Sequence, residues 1–210
     1  MMKIILLLSL FCWRLLAGGL EDLAIKKAYN QNSDILSQNL KDYAIFAPLD
    51  ENLSDASKER DYELFASIYG ADKKEVSRNL TSIFWLNEKV LFNTKNGASI
   101  ALTKVSDELK ILLAKKPEYK KFLKQNGTFA WRKIAKQNEL SAHSYGIAID
   151  INVKNSSYWH WHKERKNTLP KEIVDIFEQN GFIWGGRWQS FDTMHFEYRP
   201  EFLIYEKLKK

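Results

Sequence analysis

The sequence predicts an α+β domain in which a small antiparallel sheet is flanked by helices. Residues 146–153 alternate between apolar and small or polar side chains, a pattern typical of a strand with one buried face. Residues 194–198 are rich in β-prone side chains, and a proline follows them. Residues 98–114 and 170–180 instead repeat apolar side chains at intervals of three and four, which indicates helices with one buried face.

The first 19 residues have the features of a secretory signal peptide. A charged start at Lys3 precedes the apolar run 4–13, and small residues follow at 17–19. This run is too short to span a bilayer, so we expect no stable membrane span after signal cleavage. The only cysteine, Cys12, lies in this segment. The mature chain would therefore have no disulfide and no thiolate ligand, which leaves histidine and carboxylate groups for metal chemistry.

Residues 20–78 are predicted to be an N-terminal extension that precedes a core domain at 79–210. The extension could be an added subdomain, a lid or a segment that packs on the core, and we favour packing. Its pattern suggests a strand at 41–47 and helices at 56–69 and 72–79.

Within the core, residues 82–85 and 89–92 read as two strands joined by a turn. The helix at 98–114 follows, with a shorter helix predicted at 118–125. Residues 128–134 are predicted to form a strand that carries Arg132.

Composition limits the possible functions. With 45% hydrophobic and 28% charged residues, the 210-residue chain is globular rather than disordered. The formal net charge of +6 suits an anionic partner. Nevertheless, its Lys and Arg residues form no run with interleaved aromatic side chains, so nucleic acid is not the expected partner.

His143 and Asp150 are candidate metal ligands that only a turn can bring together. They are seven positions apart, about 23 Å along a strand or about 10 Å along a helix. Ligands must lie within about 2 Å of one ion. Gly146 can supply the turn, and Asp150 then lies on the polar side of the strand that follows.

His195 is the third candidate ligand, and Asp192 is a candidate base. On one straight strand an offset of three would place these two side chains on opposite faces. We therefore expect a loop at 190–192 that returns Asp192 towards the metal. Two imidazoles and one carboxylate match the ligands of catalytic zinc, which keeps a further position for water.

The two stretches together resemble the zinc peptidases that cut bacterial cell-wall peptides. SxHxxGxAxD occupies residues 141–150, and GFxWGGxW followed by DxMHFEY occupies 181–198. The chain is similar here to the D-alanyl-D-alanine carboxypeptidase family, especially its L-alanyl-D-glutamate endopeptidase branch. Further similar positions bring the resemblance to about residues 79–200.

The resemblance implies a role for each residue of the candidate site. His143, Asp150 and His195 would bind Zn²⁺, Asp192 would be the catalytic base, and Arg132 would contact substrate and stabilise the oxyanion. Aspartate as the base is typical of the endopeptidase-like branch. The partner would be the peptidoglycan stem peptide, and the protein a secreted, periplasmic or cell-wall-associated monomer.

Several alternatives stay open. The enzyme could be a D,D-carboxypeptidase rather than an L,D-endopeptidase, and it could act on its own wall or on that of other cells. A non-catalytic wall-binding module with the peptidase fold is a different class of function. His160 and His162 share a strand face, but lack a carboxylate at good spacing, so we expect no second metal there. Their segment, 158–162, is instead expected at the edge of a groove, with Trp159 or Trp161 touching substrate.

Overall fold

A computed structural model of the protein describes residues 43–50, 54–55, 58 and 60–208. The predicted signal peptide at 1–19 lies outside the described residues. Over the described part the protein is α+β, with small antiparallel sheets and flanking helices, and the predicted fold class is confirmed.

The helices and strands are short, apart from one helix. The helices are α1 (Tyr62–Tyr69), α2 (Lys73–Asn79), α3 (Ala98–Lys115), α4 (Lys171–Gln179) and α5 (Pro200–Leu208). The strands are β1 (Leu80–Trp85), β2 (Glu88–Asn93), β3 (Ala148–Asp150), β4 (Phe182–Trp184) and β5 (His195–Tyr198). Among the described residues, no helix combines the length and the apolar character that crossing a bilayer requires.

The longest helix, α3, and the β1–β2 hairpin agree with the sequence prediction. β1 and β2 pair antiparallel, and the turn between them is at Leu86 and Asn87. Helix α3 packs against this hairpin and α4. Leu102, Val105 and Leu109 form its fully buried stripe at intervals of three and four.

The predicted strand at 128–134 is wrong. This segment is irregular and makes one isolated bridge, between Lys133 and Leu140. The backbone groups of Arg132 are bonded instead to the segment that carries His143. The Arg132 N–H donates to Ser144 Oγ at 2.9 Å, and the Ser141 N–H donates to the Arg132 carbonyl at 3.1 Å.

The predicted strand at 41–47 is also wrong in its described part, where the chain turns at Ile45 and Phe46. The Phe46 N–H donates to a Glu178 carboxylate oxygen at 2.7 Å, so a side chain takes the place of a strand partner. The helix expected at 118–125 is a 3₁₀ helix at Pro117–Phe122.

The second sheet, with strand order β3-β5-β4, separates the core from the candidate site. Phe196 in β5 points towards α4, where its ring stacks on Phe177 with centroids 3.9 Å apart. His195 and Glu197 flank Phe196 in the strand and therefore point to the opposite face. Asp150 lies directly opposite His195 in β3, so its side chain shares that face.

The described part of the extension packs on the core. Helix α1 contributes Phe65, Ile68 and Tyr69 to the main core cluster. A second cluster joins Tyr43 and Ile45 of the extension to buried side chains of the core domain, namely Ile183, Trp188 and Phe202.

A buried ion pair next to this second cluster should be important for stability. Arg187 and Glu178 have fully buried side chains, with Nε and Oε1 2.8 Å apart. Arg187 also donates to the carbonyl groups of Ala47 and Pro48, at 2.9 and 3.0 Å. Arg187→Met removes one partner and leaves the Glu178 charge buried, so we expect a loss of about 3–5 kcal/mol of unfolding free energy.

Urea denaturation of Arg187→Met measures this loss. Lys110→Met is the control, because Lys110 and Asp107 form an exposed pair whose removal should cost about 0–1 kcal/mol. Equal, small changes in the two variants would contradict the importance of the buried pair.

Candidate metal centre

His143 lies in a tight turn whose shape depends on Gly146. The turn is a 3₁₀ helix at Ala142–Tyr145, and Ser141 caps its start. Gly146 ends it with φ 67° and ψ 31°, in the left-handed region. A Cβ at this position would lie 2.5 Å from Leu80 Cδ2, so any larger residue would be both strained and crowded. The turn predicted between His143 and Asp150 is therefore present.

Sheet register brings Asp150 and His195 together. The two residues form a cross-strand pair at the end of β3 and the start of β5. Asp150 Oδ1 lies 3.0 Å from His195 Nδ1 and 3.2 Å from His143 Nε2. The two imidazole rings meet edge to face, with centroids 5.1 Å apart.

These three residues could hold one metal ion. One donor atom from each of His143, Asp150 and His195 lies within 4.8 Å of the others. Two imidazole nitrogens and one carboxylate oxygen fit the donor preferences of zinc and leave room for a water ligand. The donor set that the sequence predicts is thus assembled in space.

The outer nitrogen of each imidazole has an acceptor that fixes the ring. His143 Nδ1 lies 2.6 Å from the Thr128 carbonyl, which can only accept, so Nδ1 donates this hydrogen bond and Nε2 is the nitrogen that faces Asp150. His195 Nε2 lies 3.0 Å from Glu197 Oε2, which leaves Nδ1 facing Asp150. Such partners orient metal-binding histidines and raise their basicity.

The charges of the cluster are suited to a cation. Burial alone would raise the pKa of Asp150, but His143 and His195 lower it well below its usual range. Burial alone would lower the pKa of His195, but hydrogen bonds with Asp150 and Glu197 raise it to about 9. The buried carboxylates therefore favour a positive charge at His195, which a proton or a metal ion can supply.

Asp192 lies close to this cluster but outside the three-donor set. Its backbone N–H donates to the Gly185 carbonyl at 2.9 Å, and it pairs with Tyr158 through an isolated bridge. A Cβ on Gly185 would lie 2.7 Å from the Asp192 carbonyl, so this close approach requires glycine. The loop that we expected at 190–192 is consistent with this arrangement.

The Asp192 side chain is partly buried, and its hydrogen bonding is incomplete. Its Oδ1 atom is buried and has no hydrogen-bond partner within the described part of the chain. Burial raises the pKa of Asp192 to about 7, with a further increase from Asp150, against the opposing charges of His195 and Lys58. An unbonded buried oxygen requires a partner such as water, and a carboxyl group with a pKa near 7 suits proton transfer.

Arg132 is exposed and lies at the edge of the site. Burial and the Asp192 charge raise the pKa of Tyr158, whereas the Arg132 charge opposes this increase. Arg132, Asp192 and Tyr158 are therefore within electrostatic reach of one another.

The aromatic segment 158–162 runs beside Asp192. The Trp159 N–H donates to the Phe191 carbonyl at 3.0 Å, and the side chain of Trp161 is 68% exposed. Over the described ranges, His160 and His162 join no cluster of three potential ligands.

Two parts of the site were missed by sequence reasoning. Glu197 follows His195 by two positions in a strand, so a shared face could have signalled its contact with that imidazole. The other is a pair of cations, Lys58 and Arg60, from the extension. Arg60 lies 137 residues before its partner Glu197, and no local sequence pattern predicts a contact over such a separation.

The described part of the chain is therefore an α+β domain with three clustered donors that could hold a metal ion and a carboxyl group beside them. Residues 135–198 match the family model described as D-alanyl-D-alanine carboxypeptidase. This match confirms the predicted resemblance to these zinc peptidases and supports a metallopeptidase that acts on peptidoglycan. It includes His143, Asp150, Asp192 and His195 but not Arg132.

The other comparisons add no relatives. No curated protein matches the chain. No solved structure matches it.

Proposed function

We propose that this protein is an exported zinc peptidase that hydrolyses stem peptides of peptidoglycan. The main support is the cluster of His143, Asp150 and His195, whose donor atoms lie within 4.8 Å of one another. Asp192 adds a buried, unbonded carboxylate oxygen at the same site. Export, to the periplasm or the cell wall, is inferred from the predicted signal peptide at 1–19 and the location of the substrate.

In this proposal His143 Nε2, His195 Nδ1 and an Asp150 oxygen hold the zinc ion. Bound zinc would lower the pKa of its water towards about 7 and polarise the scissile carbonyl. Thr128 and Glu197 keep the two imidazole rings in the required orientation, through contacts of 2.6 and 3.0 Å.

Asp192 is proposed as the general base and then the general acid. Its carboxylate accepts a proton from the attacking water as the water oxygen adds to the peptide carbonyl carbon. The carboxyl group then donates that proton to the amine nitrogen as the C–N bond breaks. A pKa of about 7 suits both steps, because the group can accept and release a proton near neutral pH.

Arg132 is proposed to contact the substrate and the developing oxyanion. Its planar guanidinium can donate two hydrogen bonds to a carboxylate or a developing oxyanion. Arg132→Ala should reduce kcat/KM by about 10²–10³-fold, the effect typical of losing one oxyanion donor. Arg132→Lys should retain part of the activity, because it keeps the charge but loses the fork geometry.

Peptide hydrolysis by each purified variant checks this role. Lys133→Ala is a matched control, because Lys133 is the exposed neighbour whose Nζ lies near Asn138. Wild-type kcat/KM in Arg132→Ala would exclude Arg132 from the reaction.

Two substrate bonds remain candidates, each with its own support. Asp192 as the base favours L-alanyl-D-glutamate endopeptidase action, because aspartate is typical of that branch of the resembled family. A D,D-carboxypeptidase instead needs a cation for the terminal carboxylate of its substrate. Lys58 favours this second activity, because its ammonium lies 5.7 Å above the Trp188 ring and its charge acts on Asp192.

Mass spectrometry of purified muropeptides, incubated with residues 20–210, distinguishes these activities. Chelator-sensitive loss of one alanine from pentapeptide stems would identify a D,D-carboxypeptidase. Chelator-sensitive cleavage between L-alanine and D-glutamate would identify the endopeptidase. No product from zinc-loaded protein would contradict the peptidase proposal and favour a wall-binding module.

A further inference from the structure

We propose that Arg60, in the N-terminal extension, is a positioning residue for the metal centre. Arg60 holds the Glu197 carboxylate next to His195 Nε2, and this contact orients His195 Nδ1 towards the metal position. This inference rests on the proposed binding of zinc by His143, Asp150 and His195, and it makes the extension part of the working site.

The Arg60 guanidinium grips the Glu197 carboxylate with two of its nitrogens. Nη2 lies 2.5 Å from Oε2, and Nε lies 3.2 and 3.1 Å from Oε1 and Oε2. The Arg60 side chain is 5% exposed and the Glu197 side chain is fully buried. Such a forked, buried contact fixes the direction of a carboxylate as well as its charge.

The same Glu197 oxygen that receives Arg60 Nη2 also contacts the metal-site histidine. Glu197 Oε2 lies 3.0 Å from His195 Nε2, and His195 Nδ1 lies 3.0 Å from Asp150 Oδ1. A chain of contacts therefore runs from Arg60 through Glu197 and His195 to Asp150. Each contact is about the length of a hydrogen bond, so a movement at Arg60 changes the restraint on the imidazole.

Arg199 is a second cation near Glu197, but it is divided among other partners. Its Nη1 lies 3.2 Å from Glu197 Oε1, the oxygen that does not contact His195. Its guanidinium also pairs with Glu201 and lies over the rings of Phe65 and Phe202. Arg60, by contrast, contacts both oxygens of Glu197, including Oε2, which faces His195.

The extension reaches this face of the sheet at more than one point. Arg60 contacts Glu197, whose side chain lies on the same face of the sheet as His195. Two residues before Arg60, the Lys58 ammonium lies 5.7 Å above the Trp188 ring, which itself lies 5.6 Å from the His195 ring. Lys58 and Arg60 thus both lie beside the metal centre.

The test compares zinc affinity in Arg60→Met, Arg60→Lys and the wild type, by competition with a chromophoric chelator below the unfolding temperature. Arg60→Met should weaken zinc binding by about 10–100-fold, as is typical when an outer partner of a metal ligand is lost. Its cobalt(II)-substituted form should show an altered visible absorption spectrum. Arg60→Lys keeps the charge without the fork and should lie between Arg60→Met and the wild type.

Tyr43→Phe is the matched control for general loosening of the extension. Tyr43 anchors the extension elsewhere, donating to Glu178 Oε1 at 2.7 Å and accepting from the Trp184 N–H at 2.7 Å. This variant should lower the unfolding midpoint yet keep the wild-type zinc affinity and cobalt spectrum. Wild-type affinity and spectrum in Arg60→Met would overturn the proposal, and so would a loss of affinity in Tyr43→Phe equal to that in Arg60→Met.

A double-mutant cycle tests the route through Glu197. If Arg60 acts through Glu197, Arg60→Lys should weaken zinc binding in the wild type and change it little in the Glu197→Gln background. Equal losses of zinc affinity in both backgrounds would overturn this route. Because Arg60→Lys and Glu197→Gln are conservative substitutions, the cycle can be measured even if Arg60→Met does not fold. Zinc affinity is measured without a peptide substrate. The outcome of this test therefore does not depend on whether the protein hydrolyses peptides in the peptidase assay.

Discussion

Asp192→Asn is expected to lower peptide turnover by about 10²–10⁴-fold, the usual contribution of a positioned general base, while zinc binding stays near the wild-type level. The asparagine side chain has the same shape as that of aspartate but could not accept the proton of the attacking water. Asp192 is outside the three-donor cluster, so the donors themselves are retained. Stability should not fall either, because burial of an ionised carboxylate with an unbonded oxygen is itself unfavourable.

Three measurements on the same preparation check this expectation: hydrolysis rate, zinc content and urea denaturation. The expected result is that Asp192→Asn loses hydrolytic activity but keeps the zinc content and the unfolding free energy of the wild type. Full activity in Asp192→Asn, or in the more severe Asp192→Ala, would remove Asp192 from the role of base. Loss of zinc in Asp192→Asn would instead indicate that Asp192 helps to bind the metal.

His143→Ala is expected to abolish both zinc binding and turnover. It removes one of three donors, leaving Asp150 and His195 as a two-ligand site. The loss of affinity should exceed the roughly 10–100-fold that an outer partner costs. The Thr128 carbonyl also loses the buried imidazole nitrogen that lies 2.6 Å from it.

His162→Ala is the control for this experiment, because His162 is an exposed histidine outside the donor cluster. Zinc stoichiometry, measured by atomic emission, should fall to zero in His143→Ala and stay at one in His162→Ala. A His143→Ala protein that still binds one zinc tightly would refute the ligand assignment.

The parts of the fold that sequence predicted well have strong local signals. The buried stripe of α3 repeats at intervals of three and four, and β1 and β2 are joined by a turn of two residues. By contrast, β4 has three residues, all fully buried, and so shows no alternation that would mark a strand. The segment 128–134 has β-prone residues, but its backbone bonds to the turn at His143 instead of a strand.

The candidate site divides in the same way. The motif spacing and the glycine at 146 were sufficient to predict that His143, Asp150 and His195 lie close together. The partners that restrain the two imidazoles are not encoded in any short pattern, since Thr128 and His143 are 15 residues apart and Arg60 and Glu197 are 137 apart. Such contacts depend on how the whole chain packs, which one sequence does not reveal.

The pairing of β3 with β5 has a consequence for the order in which the protein acquires its chemistry. Asp150 and His195 are 45 residues apart, and they become neighbours only through this pairing. During synthesis a nascent chain that ends before β5 therefore carries His143 and Asp150 but has no third ligand. The three-donor cluster cannot assemble until β5 has been made, so under the proposed function no shorter nascent chain would act as a peptidase.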